Sequence, residues 1–169
     1  MFQLRSKEIK TIAALHRQLR SNSCFQSAPE LWLKVKGVIR PTEYPEQNIP
    51  KNDGRGYEPY PQRGVKVYGK KRVYFEKHTY LHPYDGMAER FRSELHRHNP
   101  VVVSLRGTLP FGEWHGFLLY AESQGDFLLI SKTSPSPSIT IERVLSQHLG
   151  THEKVDCLFM TRLRDRLLC

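Results

Sequence analysis

The chain has few cysteines and no long apolar run. Its three cysteines, Cys24, Cys157 and Cys169, lie far apart with no C-x-x-C pair. That argues against a disulfide scaffold and against structural zinc, and predicts free thiols in a reducing cytoplasm. No stretch is long and apolar enough to suggest a membrane span, and no signal-peptide core follows the first residues. Residues 1–22 are basic and acid-poor, a composition that also fits an organelle targeting segment. A Gly-rich phosphate loop, a G-x-S-x-G elbow and a Cys/His nucleophile context are all missing. No enzyme and no cofactor is expected.

What the chain does have is positive charge. Its 26 Lys and Arg exceed its 17 Asp and Glu by 9. Such an excess favours polyanions, nucleic acid before membrane surfaces. The excess is local: residues 34–77 hold 11 Lys or Arg and 5 Asp or Glu, a net of 11 − 5 = +6. A binding groove needs local potential, so this concentration weighs more than the total.

With 169 residues there is room for one domain with a real core. In RSKEIKTIAALHRQLR (5–20) the apolar residues recur every three or four positions, which predicts an amphipathic helix within an N-terminal segment 1–22. LWLKVKGVIR (31–40) alternates: Leu31, Leu33 and Val35 against Trp32, Lys34 and Lys36. Alternation predicts a half-buried strand, with Gly37 at a bend or bulge. Residues 41–64 hold five prolines and three glycines, which predicts a flexible arm carrying Tyr44, Lys51, Arg55, Tyr57, Tyr60 and Arg63.

Residues 65–79 predict one or two strands, with Val65 and Val67 inward, Lys66 and Tyr68 outward, and a basic turn at Gly69-Lys70-Lys71. Residues 84–98 predict a helix: Asp85 is the candidate N-cap, and Met87, Phe91 and Leu95 form an i, i+4, i+8 stripe. PVVVSLRGTL, EWHGFLLYAES and DFLLISK predict three further strands. A Ser/Pro linker opens the C-terminal extension, 133–169. There Ile139–Gly150 suggests a helix, and residues 155–160 a strand or a buried helical turn.

Taken in order, LWLKVKGVIR, a loop, RVYFEKH, the helix AERFRSELHRH, a strand ending in R-G-T-L and a strand with E-W-H-G resemble the OB-fold of single-stranded DNA-binding proteins. The likeness covers residues 30–122 within a predicted body of 30–132. It implies a mainly β, α+β architecture: a small barrel with a helix between strands 3 and 4. It also implies single-stranded DNA or RNA as partner, bound without strong sequence preference. Trp32, Tyr68, Tyr74 and Trp114 become stacking candidates. Lys34, Lys36, Arg40, Lys66, Lys70, Lys71, Arg72, Lys77 and Arg106 become phosphate contacts. That family carries an acidic C-terminal tip, whereas this chain ends in basic RLRDRLLC.

Each candidate has a plainer reading. Tryptophans are usually well buried, so Trp32 and Trp114 also fit core packing. A lysine on a strand is most often solvated, and Lys70-Lys71 also suits edge protection. His78/His82 and His96/His98 have metal-like spacing, but a turn or strand end does not put them on one face, and no metal is expected. The rival function is a non-catalytic accessory protein, possible as an oligomer, whose barrel or C-terminal segment binds a protein partner.

Overall fold

The computed structural model describes residues 6–20, 24–48, 60–106, 114–132, 138–149 and 154–163, with the backbone alone at Arg106 and Trp114. Lys51, Arg55, Tyr57, Cys169 and most of RLRDRLLC lie outside the described residues.

Seven strands form one antiparallel sheet. They are β1 (Arg63–Tyr68), β2 (Lys71–Leu81), β3 (Val101–Arg106), β4 (Trp114–Ser123), β5 (Asp126–Lys132), β6 (Thr140–Val144) and β7 (Lys154–Leu163). Their order is β1-β2-β7-β3-β4-β5-β6. The sheet is open, with β1 and β6 at its edges. The expectation of a mainly β, α+β chain holds at that level; a closed barrel is not formed among the described residues.

The last strand sits near the middle. β7 is antiparallel to both β2 and β3, so β2 and β3 run the same way. Strands that run the same way need a crossover, and helix α3 (Met87–His96) supplies it. Both faces of β7 are buried through residues 157–160, as a central strand between two layers requires.

One face of the sheet packs against α1 (Ser6–Leu15) and α2 (Cys24–Val35). That core holds Ile9, Ala13, Ala28, Leu31, Trp32, Val73, Phe75, Leu118, Ile130 and Met160. The other face packs against α3 and α4 (Ser146–Leu149), around Phe91, Val103, Leu105, Phe117, Leu129, Leu145 and Phe159. The α3 stripe is as read: Met87 and Phe91 are buried, and Leu95 packs partly buried beside them.

Several expectations are corrected. The predicted strand at 31–40 is the C-terminal half of α2. Leu31 to Val35 are all buried, because α2 lies beneath residues 41–48 and on the sheet at once. A helix covered on all sides needs no 3.6-residue apolar stripe, so the alternation misled. Gly37 is not at a strand bulge. It ends α2 with φ +64°, Gly37 N–H bonds Lys34 O at 3.0 Å and Val38 N–H bonds Leu33 O at 2.8 Å. That is a Schellman ending, which favours glycine. Helix α3 is capped by Gly86, not Asp85, with no side-chain cap bond. It also ends in a Schellman pair: His98 N–H to Leu95 O and Asn99 N–H to Glu94 O, both 2.9 Å. The predicted helix at 139–150 is β6 followed by the single turn α4. The Pro/Gly-rich arm is structured over residues 41–48, where Glu46 and Gln47 are buried, and Arg63 and Gly64 already belong to β1.

Candidate functional site

The thirteen predicted binding residues do not share one face. Trp32 is fully buried, and its Nε1 donates to Asn99 Oδ1 at 3.1 Å and Pro100 O at 3.0 Å. Lys34 is buried as well; its Nζ lies 3.0 Å from His16 Nδ1 and 3.6 Å from the centre of the Tyr44 ring. Burial lowers its pKa to about 8 against the pull of Glu30 and Glu43. Neither group faces solvent, which corrects the expected exposed face.

Lys66 and Tyr68 turn toward the α2 side of the sheet, opposite to the predicted pattern. Both meet Glu46: Lys66 Nζ lies 2.7 Å from its Oε2, and the Tyr68 hydroxyl donates to its Oε1. Burial, then the Glu46 carboxylate, raises the Tyr68 phenol pKa. Val65 and Val67, predicted inward, are instead 50% and 63% exposed. Tyr74 is half-buried on the other sheet face, beside Val65 and Thr161 in register. Lys77 is half-buried at mid-strand. Arg106 and Trp114 are cross-strand partners where β3 ends and β4 begins, at the sheet end away from α3's C-terminus.

Glu46 neighbours a second buried carboxylate. Glu30 accepts from Gln47 Nε2 at 2.6 Å, Glu46 N at 2.9 Å and Gln47 N at 3.1 Å. Burial raises its pKa, and those bonds oppose the rise. His16 bonds Ser27 at 2.9 Å, and burial followed by Lys34 lowers its pKa to about 3. The Gln47 side chain also accepts from Leu19 N and donates to Arg17 O. These buried polar groups therefore hold residues 16–20 and 41–48 onto α2, a structural task.

The remaining predicted cations converge at one end of the sheet. Lys71 Nζ donates to Gly37 O, which brings the β1–β2 turn against the end of α2. Lys36 Nζ donates to His98 O at 3.0 Å, which brings the end of α2 against the end of α3. The Lys36 pKa is lowered by burial and then by the Arg162 charge; Arg162 is the cross-strand partner of Val73. Lys36, Arg40, Lys71 and Arg162 thus come from three separate segments to one rim, with Lys70 in the same turn and Arg72 beside it on the opposite face of β2. Arg40 pairs with Glu43 at 3.4 Å. Among the described residues no ion pair engages Lys70, Arg72 or Arg162, and all three are exposed. Beside His98 the rim continues into an open depression of about 590 Å³ lined by Arg92, Ser93, Leu95, His96, Arg97 and Glu122.

Sequence reading missed Arg162 and the end of α3 as parts of this rim. No local pattern signals them, because the insertion of β7 beside β2 puts Arg162 there. Among the described residues no three His, Cys, Asp or Glu side chains gather as metal ligands. The His78 ring packs on Tyr80 and the His82 ring on Tyr84. No family model, curated protein or solved structure matches the chain.

Proposed function

We propose that this is a non-catalytic nucleic-acid-binding protein that uses the cationic rim. The observation that carries this reading is convergence. Lys36, Arg40, Lys71 and Arg162 meet at one end of the sheet with Glu43 the acid beside them, and Lys70 and Arg72 flank them at the β1–β2 turn. Clustered cations release counterions from a phosphate backbone, and this supplies most of sequence-independent affinity. The ligand class rests on this charge, because the first strand of the OB-fold resemblance is helix α2 and the sheet is open. The buried thiol of Cys157 supports a reducing, cytoplasmic setting. Among the described residues no helix is long and apolar enough to cross a membrane.

The test is fluorescence anisotropy of labelled DNA and RNA oligonucleotides at about 50 and 200 mM salt. Salt-sensitive binding is expected, weakened at least tenfold by Lys70→Glu with Arg72→Glu. Binding to no oligonucleotide at the lower salt rejects the reading.

A second reading has its own observation. Val65 and Val67 on β1 and Leu163 on β7 are exposed on one sheet face, flanked by Arg63 and Arg72. Exposed apolar surface rimmed by charge suits a protein partner, so an assembly role is the alternative if nucleic acid fails to bind.

A further inference from the structure

Among the described residues the rim has cations but no exposed Trp, Tyr or Phe ring of the kind that single-strand binders use. Those proteins gain sequence-tolerant affinity by stacking bases on exposed aromatics. Trp32 and Tyr60 are buried. The Tyr68 hydroxyl is engaged by Glu46. Tyr44 is covered by Lys34 Nζ at 3.6 Å and faces the His16 ring, centroids 5.8 Å apart. Tyr74 is half-buried in the interior of β2, two residues in from Arg72.

The cations, in contrast, are held in place. Lys36 and Lys71 are tethered to the carbonyls of His98 and Gly37, and Arg72 and Arg162 stand on paired strands. From β2 across β7 to β3 is two strand spacings, and the β1 turn adds a third, about 14 Å at ~4.8 Å each. Duplex DNA carries one charge per ~1.7 Å of its axis, so such a rim faces a stretch bearing about eight phosphates. A single strand presents fewer charges over that length, and among the described residues the rim offers its bases no exposed Trp, Tyr or Phe.

Resting on the nucleic-acid reading above, we infer that the rim takes double-stranded nucleic acid by its phosphate backbone, in preference to single strands and without reading bases. The ligand is recognised by charge density along a rigid double helix.

The deciding experiment uses the full chain with a labelled duplex and with oligo-dT of the same length, across a salt series. The duplex is expected to bind at least tenfold tighter. Its log K should fall with log salt at a slope of about −4 to −5, as for some five phosphates at −0.9 each. Duplexes of scrambled sequence should bind alike, and Tyr74→Ala should shift duplex affinity less than twofold. Lys70→Glu with Arg72→Glu should weaken duplex binding at least tenfold at unchanged melting temperature. Lys70→Gln with Arg72→Gln, a milder pair, should give a smaller loss in the same direction. Tighter binding of oligo-dT, weakened by Tyr74→Ala, overturns the inference and leaves the nucleic-acid reading standing. Binding of neither oligonucleotide overturns both.

Discussion

Trp32 Nε1 donates to Asn99 Oδ1 across 3.1 Å, joining the helix layer on one sheet face to the turn that ends α3 on the other. Asn99 Nδ2 in turn donates to Glu94 Oε2 at 2.7 Å and Met160 O at 2.8 Å. Glu94 pairs with Arg90 at 3.0 Å, and the Arg90 guanidinium lies over the Phe159 ring. One buried amide thus bonds to α2, α3 and the central strand β7, just behind the cationic rim.

Replacing Asn99 with Ala leaves the Met160 carbonyl and the Glu94 carboxylate short of a buried donor. Orphaned buried groups cost ~1–3 kcal/mol each, more when charged. Asn99→Ala is expected to destabilise the fold by about 2–4 kcal/mol, read from urea unfolding midpoints. A loss under ~0.5 kcal/mol would show that water replaces the amide at little cost.

Gly116 marks where α2 crosses β4. A Cβ there would sit 2.8 Å from the backbone oxygen of Cys24 and 3.3 Å from Ala28 Cβ. The first contact is backbone and cannot rotate away. Gly116→Ala should therefore lower stability by ~1–3 kcal/mol in thermal or denaturant unfolding, the usual scale of overpacking. A neutral effect would mean that α2 slides outward freely.

His98 carries φ +57° at the end of α3, a left-handed conformation that costs a non-glycine residue about 1–2 kcal/mol. Its side chain is exposed, and its carbonyl holds Lys36. His98→Gly keeps that carbonyl and relieves the backbone, against some gain of freedom in the unfolded chain. A net stabilisation of roughly 0.5–1 kcal/mol is expected, measured as a raised melting temperature.

Acid should weaken the fold through two buried histidines. Unfolded histidine takes its proton near 6.5, whereas folded His16 resists until about 3 and His115, buried and near Arg143, until about 4. Below 6.5 the unfolded chain binds more protons, so stability falls with pH, by about 1.4 kcal/mol per unit for each histidine. Glu30 acts oppositely: its raised folded pKa favours the folded state as acid protonates it. Two histidines outweigh one carboxyl, so urea midpoints should drop between pH 6.5 and 4.5. The drop should be shallower in His16→Gln; equal slopes in both chains would reject a neutral buried His16.

Much of the sheet and α3 is legible in sequence, for local reasons. Met87, Phe91 and Leu95 recur at helical spacing, and VVVSL, FLLY and FLLIS are dense in strand formers bounded by turns. Gln124-Gly125 turns where expected, both residues at positive φ. Less legible is which way a face points. Alternation in GVKVY separates Val65 and Val67 from Lys66 and Tyr68, but only the buried Glu46 beyond the strand decides that Lys66 and Tyr68 turn inward.

Composition and local spacing by themselves determined a basic, mainly β chain with an α3-like helix between strands, and the concentration of cations in residues 34–77. Tertiary structure alone decided that LWLKV is helix, because this half of α2 is buried all round and its side-chain period carries no signal. It alone placed β7 between β2 and β3, since strand order depends on contacts far apart in sequence. With β7 came Arg162, and with the two Schellman endings came Lys36, so the rim is made of charges no local pattern could have assembled.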